Sequence, residues 1–435
     1  MRLPLPVIIF LIVASVLVDF YIWLDIRQTK SRKRWKWCEW YAWSSVILWA
    51  FLVVTVCLPR RGLDGGVYHV MWMMTIYMSI YISKFIYCLF SIIGRIPRLF
   101  KAGRWCWTKY VGLLVAVGGF ASIWVGVSYT RSHLQTVSVT VESDRLPDSF
   151  DGYRIVQISD LHLGTWGDDT SFVRQLVDSV NSLNPDMVVF TGDIVNQKSD
   201  EMKPFMQILS QLKAADGVYS ILGNHDYGDY VDWPSQEAKR QNLDNLKKYQ
   251  AEMGWKMLNN ESEFIRKVSE VKTDSTMTTV VDSIALIGVE NWGEPPFGQY
   301  GDLAKSYPET GKTGLNDRNF KILLTHNPEH WVREVRKESN IDLSLSGHTH
   351  AMQMSVNAFG KRWSPSAMKY STWGGFYTNG DNGTIEDFGN PDVRTMTRSL
   401  DKPSIYVNIG SGEVGIPFRL VSAYPEITLF TFKKK

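Results

Sequence analysis

The pattern of hydrophobic and polar positions divides the sequence near residue 130. Before that point, four apolar segments each approach the ~20 residues that a membrane-spanning helix needs: Leu3 to Leu24, Trp40 to Leu58, Val67 to Ile93, and Tyr110 to Tyr129. From about Val137, short apolar runs alternate with amphipathic helical stretches, which is typical of an α/β domain. We therefore predict a transmembrane region of four helices at 1–130 and a soluble domain at 131–435.

The first apolar segment is interpreted as a retained membrane helix and not as a signal peptide. Its apolar core, Val7 to Val18, is short enough for a signal peptide, but only Arg2 precedes it and no small-residue cleavage site follows. The apolar runs are interrupted by the polar residues Asp19, His69 and Lys84.

Basic residues in the loops predict the orientation, because Lys and Arg in short loops are retained on the cytoplasmic side. The first and third loops carry 11 of them, whereas the opposite side carries 4. With four spans, both termini and the soluble domain are expected outside the cytoplasm. In a bacterium this is the periplasmic side or the outer surface of the membrane.

Composition excludes some classes of function. The net charge of +3 comes mostly from juxtamembrane residues, and acidic and basic residues interleave in the soluble part, so no nucleic-acid partner is expected. All cysteines lie in or beside the membrane part, which leaves the soluble domain without disulfide or thiol chemistry; they are Cys38, Cys57, Cys88 and Cys106.

The soluble part contains a series of predicted strands with helices between them. The strands are "YRIVQISD", "MVVFTGD", "GVYSILGNHD", "TTVVDSIALIGVEN", "FKILLTHNP", "IDLSLSGHTH", "SIYVNIGSG" and "EITLFTF". Helices are predicted after Asp168, with Val173, Leu176, Val177, Val180 and Leu183 on one face, near Met202 to Leu212, and from Ser235 to about Met253. The stretch from Lys361 to Lys402 is interpreted as a long loop or small insertion.

Residues able to bind a metal follow most of these strands. Five of the 8 histidines belong to this set, which comprises Asp160, His162, Asp193, Asn224, His225, Asp226, His326, His348 and His350. Imidazole together with carboxylate suits Zn, Mn or Fe, and the set is too large for one tetrahedral ion. Two divalent ions sharing a carboxylate would fit it, and such a pair is suited to hydrolysis of phosphate esters.

From about Ser138 to Phe432 the sequence resembles the calcineurin-like metallophosphoesterases. Five motifs occur in the family's order: DxH at Asp160 and His162, GD at Asp193, GNHD at 223–226, a lone His326, and GHTH at 347–350. The resemblance implies a four-layer α/β/β/α sandwich, here preceded by the four transmembrane helices.

The resemblance also implies a role for each site residue. One metal would be bound by Asp160, His162, Asp193 and His350, and the second by Asp193, Asn224, His326 and His348. His225 would steady the phosphate and protonate the leaving oxygen, Asp226 would fix the tautomer and orientation of His225, and a hydroxide bridging the metals would be the nucleophile.

Departures from the family's subgroups narrow the resemblance. Asn196 stands where purple acid phosphatases carry a tyrosine, and Asp226 stands where protein serine/threonine phosphatases carry a glutamate. The similarity is greatest to membrane-anchored bacterial phosphodiesterases, although Ala351 and Met352 stand where these often have glycines.

The expected function is metal-dependent hydrolysis of a phosphodiester or pyrophosphate bond, on a membrane, envelope or lipid-linked substrate. One alternative is a membrane-anchored sensor or scaffold that binds a phosphate ligand without turnover, and a weaker one is a nuclease. The oligomeric state stays open.

Several other residues have more than one interpretation, or an expected position away from the site. The aromatics at 363, 370, 373, 376 and 377 line a pocket, dip into lipid or simply pack, and Gly410, Gly412 and Gly415 approach a phosphate or form turns. Arg419 contacts phosphate or forms an ion pair. His69 and His133 are expected at the membrane interface, and His330 on a helix surface.

Overall fold

The structure, a computed structural model, describes residues 5–28, 33–57, 66–101, 103–273, 276–295, 298–307, 319–358, 361–380, 385–387 and 395–435. The chain divides into two compact units, one containing the N-terminal helices and the other containing 130–414 and 419–435. Each unit is described by itself.

The four predicted membrane segments are helical. They are α1 (Leu5–Arg27), α2 (Arg34–Cys57), α3 (Gly66–Ile93) and α4 (Trp107–Ser128), and each is long and apolar enough to cross a membrane. The predicted ends at Leu3 and Leu58 lie outside the described residues. Helix α2 begins before the predicted Trp40, because the aromatic-rich stretch from Arg34 continues the helix.

Two of the charges that interrupt the apolar runs bind each other. The Asp19 carboxylate accepts hydrogen bonds from Tyr41 Oη at 2.6 Å, Tyr81 Oη at 2.7 Å and Lys84 Nζ at 2.7 Å. A charge in an apolar medium is tolerated when it is paired and hydrogen-bonded. The Asp19–Lys84 pair therefore explains how α1 and α3 carry charged residues within long apolar helices.

Two seven-stranded mixed sheets form the second unit. The first has the order β14-β1-β17-β2-β3-β4-β5, with β1 (Gln135–Ser143), β2 (Arg154–Ile158), β3 (Met187–Phe190), β4 (Val218–Ser220), β5 (Trp255–Met257), β14 (Thr395–Ser399) and β17 (Glu426–Lys434). The second has the order β13-β12-β15-β9-β8-β7-β6, with β6 (Glu261–Thr273), β7 (Thr276–Gly288), β8 (Phe320–Leu324), β9 (Leu343–Ser346), β12 (Gly375–Asn379), β13 (Ile385–Asp387) and β15 (Ser404–Val407).

A small third sheet and several helices complete this unit. The sheet consists of β10 (Met354–Ala358), β11 (Lys361–Trp363) and β16 (Leu420–Val421). The helices are α5 (Ser171–Ser182), α6 (Met206–Leu209), α7 (Gln236–Glu252), α8 (Leu303–Ser306), and the segment 328–338, which runs from α9 (Pro328–His330) through a π-helical turn (Trp331–Val335) to α10 (Arg336–Glu338).

Three hydrophobic clusters show that the unit has four layers, as predicted. Side chains from both large sheets, among them Val189, Leu324 and Leu345, pack against each other in the middle. Val188 and Phe190 point to the opposite face of β3 and pack with α5 and α7, as the alternation along a strand requires. Segment 328–338 covers the outer face of the second sheet.

Two predictions about elements were wrong. The helix predicted from Met202 to Leu212 is a 3₁₀ turn at Ser199–Met202 followed by the short α6. The stretch from Lys361 to Lys402, predicted as a long loop or small insertion, contributes β11 to β14, of which β12 pairs with β15 and β14 with β1. These strands are short, and they lie among glycine and asparagine residues that favour turns, so the sequence shows no alternation long enough to identify them.

The core between the sheets holds the strand ends at a fixed distance. A substitution at Leu345 tests how much this core contributes to the free energy of unfolding. Leu345 is fully buried there, so Leu345→Ala should lower the free energy of unfolding by about 2–5 kcal/mol. Val281→Ala, at a side chain that is 58% exposed on β7, is the control and should change it by less than about 1 kcal/mol. Chemical denaturation of the full chain in detergent measures both, and equal effects would contradict the packing described.

Candidate metal centre

The site residues follow five parallel-paired strands of the two large sheets. Strands β2, β3 and β4 run parallel to one another, as do β8 and β9. Their carboxyl ends therefore lie at a common edge, where side chains from successive loops converge. The predicted ligands lie in the loops just after these ends: Asp160, His162, Asp193, Asn224, His326, His348 and His350.

Five of these residues have a left-handed backbone conformation. The φ angles are +54° at Asp160, +43° at His162, +60° at Asp193, +76° at His348 and +50° at His350. Such angles are uncommon for residues other than glycine and cost of order 1–3 kcal/mol each. The surrounding loops therefore hold the backbone in turns that direct these side chains into one place.

Motif glycines permit the loops to approach closely. A Cβ atom on Gly223 would lie 2.2 Å from Asp193 Oδ1, and one on Gly347 would lie 2.0 Å from Ser159 Oγ and 2.3 Å from Asp160 Oδ2. No side chain fits at these distances. The glycine of GNHD therefore lets the loop after β4 approach the loop after β3, and the glycine of GHTH lets the loop after β9 approach the loop after β2 of the other sheet.

Asp193 lies at the centre of the site. Its Oδ1 accepts a hydrogen bond from the His225 backbone N–H at 2.8 Å. Its Oδ2 lies 3.5 Å from His162 Nε2 and 3.2 Å from His326 Nε2. This oxygen is therefore shared by two groups of possible metal ligands, whose ligand atoms lie within 4.8 Å of one another in each group: Asp160, His162, Asp193 and His350, and Asp193, His326 and His348.

The first group has the spacing of ligands around one ion. His162 Nε2 and His350 Nε2 are 3.0 Å apart, and His350 Nε2 lies 3.2 Å from Asp160 Oδ1. Two nitrogens bound to one ion at about 2.1 Å lie about 3.4 Å apart in tetrahedral geometry and about 3 Å apart at a right angle. The four side chains are buried, so their donor set and spacing fit a metal ion without rearrangement.

The second group places acceptor atoms around the one nitrogen of His326 that carries no proton when the ring is neutral. His326 Nδ1 lies 2.8 Å from the Thr191 carbonyl oxygen, which only accepts, so this nitrogen carries the proton of a neutral ring. His326 Nε2 then presents its lone pair to Asp193 Oδ2 at 3.2 Å and to Asn224 Oδ1 at 3.1 Å. Acceptors that face one another in a buried site require positive charge between them, which is either a second proton on His326 Nε2 or a bound cation.

Two tyrosines orient ligands of the second group. Tyr230 Oη accepts from Asn224 Nδ2 at 2.8 Å, which turns Asn224 Oδ1 towards His326. Tyr370 Oη lies 3.0 Å from His348 Nε2, while His348 Nδ1 lies 3.2 Å from His326 Nε2. Tyr370 is one of the aromatic residues for which the sequence left pocket lining, lipid contact and packing open, and it contacts the site. The sequence alone gave no reason to assign this role to either tyrosine.

The electrostatics of the cluster follow from burial and from the charges in it. Burial opposes ionisation of both carboxyls, but His350 lowers the pKa of Asp160, and His326 and His225 lower that of Asp193. Burial and the neighbouring His326 lower the pKa of His348 to about 3. Burial acts in the same direction on His326, but Asp193 outweighs it and raises the pKa of His326 to about 9.

The predicted role of Asp226 is corrected by the structure. His225 Nδ1 lies 2.7 Å from the Asn196 carbonyl oxygen, so this carbonyl orients the imidazole in place of Asp226. The Asp226 carboxylate accepts backbone N–H groups from Asp193, Ile194, Val195 and Gly223. Asp226 therefore holds the loops after β3 and β4 together.

Two further expectations change. His330 is fully buried, with Nδ1 2.9 Å from Thr325 Oγ1 and its ring stacked on Trp292; the prediction of a helix-surface position was wrong, because α9 packs that face inwards. Arg419 is fully buried as well and donates to backbone carbonyl oxygens, those of Ile409, Gly410, Gly412 and Ala423. Its observed contacts thus match neither a phosphate contact nor a side-chain ion pair.

The glycines of the 409–412 loop contact the loop that carries Asp160. A Cβ atom on Gly412 would lie 1.9 Å from the Leu161 carbonyl oxygen, and Gly412 N donates to the Asp160 carbonyl oxygen at 2.7 Å. Close approach to this loop explains Gly412 without a phosphate.

A cavity of about 190 Å³ opens onto the metal-binding cluster. It is lined by Asp193, Asn224, His225, Tyr230, Asn291, Gly293, Glu294, Asn327, His348, His350, Lys369, Tyr370 and Val414. A small anionic group can therefore reach both Asp193 and His225.

The raised pKa of His326 predicts how metal affinity depends on pH. In the metal-free protein this ring keeps a second proton up to about pH 9. Because this pKa lies above the value of about 6.5 in the unfolded chain, the second proton stabilises the fold fully below about pH 6.5, and this stabilisation is lost as the pH rises through about 9. A metal must displace this proton. Affinity for Mn²⁺ should therefore rise from about pH 6.5 to 9, with proton release, in titration calorimetry with two buffers; an affinity independent of pH over this range would contradict the arrangement.

Relatives of known sequence match more than half of this chain. It is 28% identical over 327 residues to the uncharacterized metallophosphoesterase YkuE of Bacillus subtilis, covering 74% of this chain and 92% of that protein. It is 28% identical to the transmembrane protein with metallophosphoesterase domain of Danio rerio, covering 69% of this chain and 57% of that one. It is 28% identical to UDP-2,3-diacylglucosamine pyrophosphatase LpxG of Chlamydia muridarum, covering 57% of this chain and 78% of that protein.

Two family models match separate parts of the sequence. Residues 153–352 match the calcineurin-like phosphoesterases, and residues 1–131 match the probable transmembrane domain of calcineurin-like phosphoesterases. The first range contains every strand end that bears a site residue. With the geometry of the site, these matches show that the chain belongs to the calcineurin-like metallophosphoesterases that carry an N-terminal transmembrane domain.

Proposed function

We propose that the protein hydrolyses a phosphodiester or pyrophosphate bond with two divalent metal ions. The observation that carries this proposal is Asp193 Oδ2, which two ligand groups share beside an open cavity. Asp160, His162 and His350 would hold one ion with Asp193. Asn224, His326 and His348 would hold the other, and Mn, Zn and Fe suit such ligands.

The expected chemistry is that of enzymes that hydrolyse phosphate esters with two neighbouring metal ions. Two such ions, when bound, neutralise phosphoryl charge and lower the pKa of water. The chain's own residues fix where this happens. His225 donates its backbone N–H to Asp193 Oδ1, which leaves Oδ2 for the metals.

His225 is the residue placed to move a proton. Because Nδ1 is held by the Asn196 carbonyl, Nδ1 carries a proton and Nε2 is the nitrogen that exchanges one with a substrate. Burial lowers the pKa of His225, and the nearby Asp193 acts in the opposite direction. A phosphate anion in the cavity adds negative charge beside the ring, which favours the protonated form that donates to the leaving oxygen.

The membrane helices and one relative support a lipid-linked or envelope substrate. LpxG is named as a pyrophosphatase of UDP-2,3-diacylglucosamine, a molecule that bears two acyl groups. The membrane unit of this chain would keep its soluble unit near such substrates. In the cavity, the exposed Lys369 provides a positive charge for an anionic phosphate group.

The excess of basic residues in the first and third loops supports an extracytoplasmic position for the catalytic domain. A fluorescent-protein fusion to the C-terminus tests it, since green fluorescent protein does not fluoresce when it is exported unfolded to the periplasm. We expect a dark fusion, and an alkaline phosphatase fusion at the same place that is active. A fluorescent fusion with an inactive phosphatase fusion would place the domain in the cytoplasm.

Replacement of His225 tests the function. The full chain in detergent with Mn²⁺ should hydrolyse bis(p-nitrophenyl) phosphate. His225→Ala should lower the rate on alkyl diesters about 10²–10⁴-fold and keep the bound metal, because no assigned ligand is removed. The loss should be smaller on the p-nitrophenyl ester, since its leaving group needs little protonation.

His133→Ala is the matched control, because His133 contacts Tyr424 and is no part of the cavity lining; it should keep the wild-type rate. Inactivity of folded, metal-loaded wild-type protein on phosphate monoesters, diesters and pyrophosphates would contradict hydrolysis and favour a sensor that only binds phosphate.

A further inference from the structure

The carbonyl that holds His225 belongs to the peptide group between Asn196 and Gln197. The carbonyl oxygen lies 2.7 Å from His225 Nδ1. The N–H of the same peptide is that of Gln197, and it donates to Glu201 Oε1 at 3.1 Å. In a trans peptide the C=O and N–H point in opposite directions. One planar group thus connects a carboxylate on one side with the imidazole on the other.

Glu201 holds this peptide through several hydrogen bonds. Its Oε2 accepts from Asn196 N at 2.6 Å, and its Oε1 accepts from Lys198 N at 3.2 Å as well as from Gln197 N. Burial raises the pKa of Glu201 to about 7, so the carboxyl is ionised above that pH, where its hydrogen bonds are stronger than those to a neutral acceptor. The loop from 196 to 198 is therefore wrapped around a single carboxylate.

The same carboxylate packs against the turn that follows His162. A Cβ atom on Gly164 would lie 2.5 Å from Glu201 Oε2, so only glycine fits there. On the other side, Asn196 Nδ2 donates to Thr165 Oγ1 at 2.9 Å, and Thr165 Oγ1 donates to the Glu413 carbonyl oxygen at 2.6 Å. The plane of the Asn196–Gln197 peptide is thereby fixed from two directions.

We propose that Glu201 is a positioning residue that acts on the proton-donating His225 through the Asn196–Gln197 peptide. Glu201 is no part of the cavity lining and contacts no predicted metal ligand through the hydrogen bonds described. By accepting the Gln197 N–H, it polarises the carbonyl that His225 Nδ1 donates to, since hydrogen bonds in a chain strengthen one another. The inference rests on the proposed role of His225 in hydrolysis.

Glu201→Gln in the full chain with Mn²⁺ tests the proposal. Glutamine keeps the size but replaces one acceptor oxygen by an N–H₂ group, which faces backbone N–H donors. The rate on an alkyl phosphodiester should fall about 10–100-fold, and that on bis(p-nitrophenyl) phosphate only a few-fold. Bound Mn²⁺ should not change. Glu237→Gln, at an exposed residue of α7 paired with Arg240, is the control and should leave both rates at the wild-type level.

A double-mutant cycle separates positioning from a merely structural role. In the His225→Ala background, Glu201→Gln should cause little further loss, because the group through which it acts is gone. Losses that multiply, an equal loss on both esters, or loss of metal would overturn the proposal.

Thr165→Val tests the proposal from the other side of the loop. It removes the acceptor of Asn196 Nδ2 and should produce the same selective loss on alkyl esters. If Glu201→Gln fails to fold, this variant decides the question with the same criteria. If the loss caused by His225→Ala is the same for both leaving groups, the proton-donating role of His225 is wrong. If His225→Ala behaves as expected but neither Glu201→Gln nor Thr165→Val causes a selective loss on alkyl esters, only the inference about Glu201 is overturned.

Discussion

The convergence of lone pairs on Asp193 Oδ2 is the constraint on which the rest of the site depends. Imidazole nitrogens of His162 and His326 approach this oxygen from two sides, and the tautomer of His326 is fixed by a carbonyl that only accepts. Such an arrangement is unfavourable unless positive charge lies within it. The cluster therefore needs a positive charge, which a second proton on His326 supplies in the metal-free protein and which a bound cation would supply in its place.

The protein maintains this convergence with contacts that lie outside the cluster. Asp226 gathers backbone N–H groups of the loops after β3 and β4, and Arg419 binds carbonyl oxygens of the 409–412 loop. Glu201 accepts hydrogen bonds from backbone N–H groups of the loop at 196–198. In each case backbone groups form hydrogen bonds with a buried or enclosed ionisable side chain, and these bonds fix a loop whose left-handed or closely packed residues would otherwise relax.

The clustering of the candidate ligands could be predicted from the sequence because each of them follows a recognisable apolar strand. Parallel strands then bring residues that are almost two hundred positions apart to one edge. The contacts that orient the ligands were beyond prediction, since they use backbone carbonyls or distant side chains. Asn196 holds His225 through its backbone carbonyl, which the identity of its side chain does not reveal, and Tyr370 lies in the stretch that the sequence predicts to be a long loop or small insertion. His330 illustrates the same limit, because its burial depends on the packing of Trp292.

Diffraction from crystals of the full chain grown with Mn²⁺ and measured at the manganese absorption edge tests the central claim most directly. The account predicts two anomalous peaks about 3.5–4 Å apart, both within bonding distance of Asp193 Oδ2. A single peak, or peaks bound to residues other than those around Asp193, would contradict it.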